Sequence, residues 1–506
     1  DAVLADGYQQ VLWLGMGGSS LAPDVYSRVF GATGQGLPID VLDSTAPGAV
    51  RAYLDSIDPA RTLFVVATKS GTTAETLAFF RTFYNRAVDA LGQEEAGAHF
   101  VAITDAGTRL DELAQRLGFR DIFRNDPTVG GRYSALTYFG MVAAALLGMD
   151  ARAYLKRAIA MADECHVSEN PATRLGTVMG VLANTGRDKL TLILSPSIAP
   201  FGDWVEQLVA ETTGKEGKGI LPVLGEKVAE RPPERFLPGS SPSEPQGVPD
   251  VYGDDRLFVA LTMRDDHTLD ARLDALVKAG EPVVRYELAN LYDLGAHMFL
   301  WELATAVAGY HLHINPFNQP NVESAKQRAR EMMDAYRERG ELPALEPALE
   351  DGGVKVYGDV SARSAPEALR AFVQHAQPGG YIALQAYVQP SEGTTRVLHE
   401  LQARLRAATG QAVTVGYGPR FLHSTGQLHK GDAGKGLFVQ FLGSGEPDVP
   451  IPDEPGSAAS SITFGVLRTA QALGDRQALL DAGRRVLTFD LDDTVREELR
   501  RLDAAL

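Results

Sequence analysis

Apolar residues along this chain fall into short, nearly continuous runs separated by longer amphipathic stretches. Val11 to Leu14 is one such run; it ends in a glycine turn and passes into a helical pattern over Ser20 to Val29. The rhythm returns at Thr62 to Ala67, which is followed by the polar turn Lys69 to Thr73 and a helix over Ala74 to Ala87. A further strand, His99 to Ile103, precedes a helix around Leu110 to Leu117. Strands apolar on both faces, each followed by a helix, predict a parallel sheet covered on both sides, with ligands at the carboxyl ends of its strands. This first doubly wound α/β domain is expected over 1–150.

Helical stretches from Met141 to Leu182 lead to a second series of strands at Leu190 to Leu194, Leu257 to Thr262 and Val283 to Glu287. Between them, Gly225 to Asp250 is rich in Pro, Gly, Ser and charge and reads as an exposed loop. Helices return at Gly295 to Val307 and Val322 to Arg337, which completes a second doubly wound parallel domain over 151–337. The acidic, proline-containing stretch from Glu338 to Asp351 reads as a linker. A C-terminal α/β domain over 338–506 then carries strands at Tyr381 to Tyr387, Gly436 to Phe441 and Val486 to Phe489, with an amphipathic helix from Thr394 to Ala408.

Length agrees with this division, since 506 residues at roughly 100–200 per domain make about three domains, and 44% apolar residues suffice for a core in each. The formal charge of −17 argues against nucleic acid and acidic membrane surfaces as partners, so any site for an anion has to be built locally. A lone cysteine, Cys165, rules out an internal disulfide and a multi-cysteine zinc site and points to a reducing cytoplasm. No apolar run approaches the roughly 18 residues of a membrane span, and nothing near Asp1 resembles a signal peptide. The chain opens abruptly, reaching a buried strand by Val11, as if cut from something longer.

Chemistry gathers in two turns. Gly15-Met16-Gly17-Gly18-Ser19-Ser20 lies between a strand and a helix, where backbone N–H groups and the helix dipole favour an anion. Glycine there can equally serve only a tight turn. The second turn, Thr68-Lys69-Ser70-Gly71-Thr72-Thr73, adds four hydroxyls after a neighbouring strand and makes a phosphate the natural ligand of both. Gly18, Ser19, Thr68, Ser70 and Thr73 are the expected phosphate ligands, whereas Lys69 reads as a solvated or packing residue. The turns lack a Walker lysine, so a nucleotide is the weaker reading.

At these residues the sequence begins to resemble the sugar-isomerase (SIS) domains of the glucose-6-phosphate isomerase family. Val129-Gly130-Gly131-Arg132-Tyr133-Ser134 is similar to that family's arginine-bearing loop, and Glu211-Thr212-Thr213-Gly214-Lys215 to its catalytic-glutamate segment. Asn315-Pro316-Phe317-Asn318-Gln319-Pro320-Asn321-Val322-Glu323-Ser324-Ala325-Lys326 is similar to its lysine-bearing signature. Farther on, Arg420 to Gly431 resembles the isomerase half of transaldolase–isomerase fusions, which implies an upstream transaldolase domain in the parent chain. The resemblance makes the first two domains SIS-type, the first holding the phosphate cradle and the second the glutamate.

What the resemblance implies is reversible conversion of glucose 6-phosphate and fructose 6-phosphate through a cis-enediol, in the cytoplasm, without metal or nicotinamide cofactor. It gives the proton-shuttling role to Glu211, enediolate stabilisation to Arg132 and help in ring opening or orientation to Lys326. Gln207, four residues before Glu211 on the same helical face, would bind substrate beside the base. Taken alone, Glu211 reads as a salt-bridge partner of Lys215 or Lys218, Arg132 as a surface ion-pair residue and Lys326 as an exposed helical lysine. Ring opening also needs an acid–base group, and His429 is preferred, with His423 next; the two could instead be a structural pair in a tight turn. His267, His297, His311 and His313 lack the expected context. A homodimer with shared sites is also implied. Other mannose or amino-sugar isomerases and a non-catalytic sugar-phosphate sensor remain open, because a phosphate cradle does not report the C2 substituent.

Overall fold

The computed structural model describes residues 2–34, 36–226, 252–443, 447–492, 494–504 and 506, and of residues 322–325 the backbone alone. The expected loop from Gly225 to Asp250 lies, apart from its first two residues, outside the described residues.

Three sheets organise the chain. The first holds β1 (Gln10–Gly15), β2 (Ile39–Leu42), β3 (Thr62–Ala67), β4 (Phe100–Asp105) and β5 (Asp121–Asn125), all parallel, in the order β2-β1-β3-β4-β5. Every residue of β3 is buried, as its unbroken apolar run predicts. Strand order reverses between β1 and β3, which pair in register from Gln10 and Thr62 to Gly15 and Ala67. A parallel sheet opens a crevice at such a point, outside the carboxyl ends of the strands. The glycine turn leaves β1 there and the hydroxyl turn leaves β3, so the topology sets the two side by side.

The second sheet is also parallel, ordered β7-β6-β8-β9 from β6 (Lys189–Leu194), β7 (Leu221–Val223), β8 (Arg256–Met263) and β9 (Val283–Leu288). Helix Phe201–Thr213 follows β6 and packs its buried face, with Trp204, Val205 and Leu208, into a core shared with the first sheet. Between the two sheets the helical region resolves into Tyr138–Leu146, Ala151–Glu164 and Pro171–Asn184, and helix Leu294–His311 closes the second unit.

The third sheet is mixed, in the order β10-β11-β17-β14-β12-β13. Its parallel part comprises β12 (Tyr381–Tyr387), β13 (Ala412–Tyr417), β14 (Gly436–Leu442) and β17 (Arg485–Asp490); β10 (Leu349–Asp351) and β11 (Val354–Tyr357) add an antiparallel edge. The end of the acidic stretch expected as linker is thus a strand: Leu349–Asp351 pairs with Val354–Tyr357, and helix Val322–Arg339 reaches further into the same stretch than expected. A small hairpin, β15 (Pro450–Ile451) with β16 (Ile462–Thr463), carries the C-terminal unit onto the first: Phe464 stacks on Phe79, with ring centroids 5.7 Å apart. Ala210 and Leu221 of the second unit share a core with Ala383, Leu428 and Phe438 of the third. The C-terminal unit is therefore docked on both others by apolar burial. Among the described residues no helix is long and apolar enough to cross a membrane.

Candidate active site

The glycine turn is dictated by what surrounds it. Gly17 has φ +53°, and a Cβ there would sit 2.8 Å from the His423 Cβ and 3.0 Å from the Gln207 amide nitrogen. A Cβ on Gly18 would fall 2.2 Å from the Gly131 carbonyl oxygen. Bare backbone is thus wedged between the loop that carries Arg132 and the loop that carries His423. Ser19 is buried, and its carbonyl accepts from the Trp13 indole at 2.8 Å. In the neighbouring turn Thr68 and Thr73 share a hydroxyl hydrogen bond of 2.8 Å, while Thr72 donates to Ser70 Oγ at 3.0 Å. Ser70 is exposed and Thr68 buried. Lys69 reaches Asp105 and the Pro127 carbonyl.

Arg132, only 3% exposed, is the hub of the deeper part. Its Nε donates to Thr212 Oγ1 at 2.8 Å, Nη1 to Glu211 Oε1 at 3.2 Å and to Gln319 Oε1 at 3.1 Å, and Nη2 to the Pro316 and Asn318 carbonyls at 2.7 and 3.2 Å. The planar guanidinium fork suits such a set of acceptors; a single ammonium could not serve them all. Glu211 therefore pairs with Arg132 and not with Lys215 or Lys218. Lys215 instead donates to the Asn315 carbonyl at 2.9 Å and to Asn318 Oδ1 at 3.0 Å, and Lys218 to the Leu312 carbonyl at 2.6 Å. Burial, with Arg132 nearby, lowers the Lys215 ammonium to about 8. Together Arg132 and Lys215 fasten the Asn315 to Gln319 segment to the glutamate's helix.

Gln207 joins the two halves of the cluster. Its Nε2 donates to Glu211 Oε2 at 3.1 Å and to the His423 carbonyl at 2.7 Å. The His423 ring lies 2.9 Å from Glu75 Oε1, and Lys326 lines the same small cavity. Burial would raise the Glu75 carboxyl, but the charge and hydrogen bond of His423, aided by Lys326, hold it below the ordinary range. Three carboxylates anchor the histidine's loop through Arg420: Asp24 at 2.9 Å, Asp43 at 3.0 Å and Asp203 at 3.4 Å.

His429 is not brought to this cluster. Its ring is enclosed by Tyr381, Phe421 and Phe438, with the Phe438 centroid 5.1 Å away, and among the described residues the ring's one polar contact is Gln385 at 3.3 Å. Burial, and after it the charges of Lys430 and Arg484, push the imidazole well below its usual range and keep it neutral. The structure does not bring His429, expected at the sugar ring, to the Glu211 cluster, because the short helix Gly426–Gly431 turns it into the third sheet, whereas His423 meets Glu75 beside that cluster. His297 is also buried, with its imidazole lowered to about 4 by burial; His311 meets Thr177, and His267 meets Asp270. The sequence reading missed Glu75 altogether. The only local signal was a carboxylate placed directly after the hydroxyl turn.

Beside the His423 loop, Glu206 accepts from Ser424 Oγ at 3.2 Å, and burial together with Asp203 raises its carboxyl to about 8. Between pH about 4.5 and 8 the folded chain retains a proton that the unfolded chain has released, so stability falls as pH rises through that window. Glu206→Gln, which cannot ionise, is expected to melt several degrees above the parent at pH ~8.5 and close to it at pH ~5. Thermal unfolding at the two pH values checks this.

Residues 5–216 match the family model described as phosphoglucose isomerase. A glucose-6-phosphate isomerase of Rubrobacter xylanophilus is 30% identical over 363 residues, covering 65% of this chain and 83% of that protein. One from Staphylococcus saprophyticus is 30% identical over 333 residues, covering 61% and 74%. Among solved structures, a hypothetical protein from Thermus thermophilus superposes with a TM-score of 0.56 at 24% identity, covering 65% of this chain and 85% of that one. A glucose-6-phosphate isomerase from Chlamydia trachomatis superposes with a TM-score of 0.53 at 19% identity, covering 68% and 72%. These two structural likenesses speak to the fold alone.

Proposed function

We propose how Glu211 and His423 divide the work of an aldose–ketose isomerase, for this chain belongs to the phosphoglucose isomerase family. Its reaction is the interconversion of glucose 6-phosphate and fructose 6-phosphate, and the hexose phosphate is its substrate. The observation that carries the mechanism is the Gln207 amide, which reaches both the Glu211 carboxylate and the His423 loop beside Gly17 of the glycine turn.

In this reading the phosphate is held by backbone at Gly18 and by Ser19, Thr68, Ser70 and Thr73, where neighbouring strand ends at the switch point favour an anion. Anchored there, the sugar reaches past the glycine turn toward His423. The imidazole, paired with Glu75 and flanked by Lys326, gives a proton to the ring oxygen and takes one from the C1 hydroxyl, which opens the ring. Glu211 then removes the C2 proton to leave the enediolate, a proton passes from the C2 hydroxyl to the C1 oxygen, and Glu211 returns its own proton to C1 as the C2 carbonyl forms. As the enediolate gathers negative charge, the fixed guanidinium of Arg132 beside Glu211 stabilises it without having to reorganise. No step in this sequence calls on a cofactor. A homodimer and an upstream transaldolase domain in the parent chain stay part of the reading, checked by sedimentation and by a transaldolase assay on that chain.

A coupled assay of fructose 6-phosphate conversion tests the choice of histidine. His423→Gln is expected to lower kcat by about 10²-fold, the scale of a lost general acid–base group. His429→Asn should lower the melting temperature while kcat stays within about threefold, since its ring meets the aromatic enclosure and Gln385 and stands apart from the Glu211 cluster. The reverse pattern would refute the assignment.

A further inference from the structure

Helix Phe464–Asp481 of the C-terminal unit carries a buried polar stripe at Arg468, Gln471 and Asp475, which share one face by helical spacing. Burying three such groups on a core-facing helix costs stability unless each is matched by a partner. Two of the partners line the small cavity shared by Glu75, His423 and Lys326. Asp475 Oδ1 binds the Lys430 ammonium at 2.5 Å, in the short helix just after His423. Gln471 Nε2 donates to Glu75 Oε1 at 2.6 Å, the same oxygen that meets His423. The orientation of that amide is itself fixed, because the fully buried Thr45 donates its hydroxyl to Gln471 Oε1 at 3.1 Å.

We propose that Gln471 is a positioning residue for ring opening: held by Thr45, it locks the Glu75 carboxylate in the rotation that presents Oε1 to His423. The inference rests on the assignment of ring opening to His423. A glutamate's terminal torsion is broad, so a carboxylate held by one hydrogen bond can swing, whereas two donors converging on Oε1 leave a single setting. A neutral donor is the fitting choice. A cation at position 471 would compete with His423 for the carboxylate, and a second carboxylate would repel it. The C-terminal unit thereby supplies the histidine and also the group that orients the histidine's partner. Gln471 and Glu75 stand 396 positions apart, so docking of that unit onto the first assembles the pair.

Exchange NMR on glucose 6-phosphate at chemical equilibrium reads ring opening, as interconversion of the α and β anomers, separately from isomerisation to fructose 6-phosphate. Gln471→Met keeps the length of the side chain and removes its amide. It is expected to slow anomer interconversion about tenfold, with KM changed by less than about twofold. Thr45→Val, which keeps shape and removes the outer donor, should act in the same direction by about two- to threefold and serves should the methionine variant not fold. Wild-type anomer interconversion in either folded variant overturns the proposal, as does a change confined to KM. His423→Gln separates the two layers. If it leaves anomer interconversion intact, the underlying assignment fails; if it abolishes interconversion while Gln471→Met does not slow it, only the positioning role falls.

Discussion

Glu211→Gln is expected to lower kcat for glucose 6-phosphate isomerisation by about 10⁴-fold, at the upper end of what one general base contributes, while KM stays within about threefold. The substitution is nearly isosteric, so helix Phe201–Thr213 should pack as before. An amide at position 211 still offers an oxygen to Arg132 Nη1 or to Gln207 Nε2, which sit 3.2 and 3.1 Å from the two carboxylate oxygens. It cannot accept the C2 proton, however, and both proton transfers pass through this one group. About 5.5 kcal/mol of transition-state stabilisation disappears with it. Steady-state kinetics with a coupled assay measures the loss. A fall below about tenfold would mean that another group carries the proton.

Arg132→Ala is expected to damage both stability and rate. The side chain serves five acceptors: Thr212 Oγ1, Glu211 Oε1, Gln319 Oε1 and the carbonyls of Pro316 and Asn318. Removing it leaves buried acceptors unmatched and Glu211 without its counter-charge, a loss of about 3 kcal/mol by the measure of broken buried pairs. Loss of the fixed cation near the enediolate adds a fall in kcat of about 10²- to 10³-fold. Arg132→Lys should recover little of either, because one ammonium cannot span acceptors spread over two segments. Thermal unfolding and kcat, measured on the same preparations, check both effects.

Some of this architecture is legible in the sequence for simple physical reasons. Strands buried on both faces, such as Thr62–Ala67, announce themselves as apolar runs, and the two turns announce themselves by glycines and hydroxyls at strand ends. Edge strands do not: Asp121–Asn125 is only partly buried, with Asn125 its one buried residue, and Leu349–Asp351 reads as linker because its pairing with Val354–Tyr357 leaves a polar face outward. Arg132, Glu211 and Gln207 could be picked out because they lie in local motifs. His423 and Glu75 are 348 positions apart, and no local pattern reports a contact made by docking one unit on another. Sequence spacing does not separate His423 from His429 for a related reason. Six residues apart in the same motif, they face opposite sides of the loop, one toward the first sheet's crevice and the other into an aromatic enclosure of the third sheet.

The central claim, one carboxylate carrying a proton between C2 and C1, is tested most directly by label transfer from glucose 6-phosphate deuterated at C2. With the wild-type chain in ordinary water, part of the deuterium should arrive at C1 of fructose 6-phosphate and part should be lost to solvent, because the proton rests on Glu211 between the two steps. Glu211→Gln should stop both. Complete retention of the label with no exchange into solvent, or undiminished exchange in Glu211→Gln, would contradict the account.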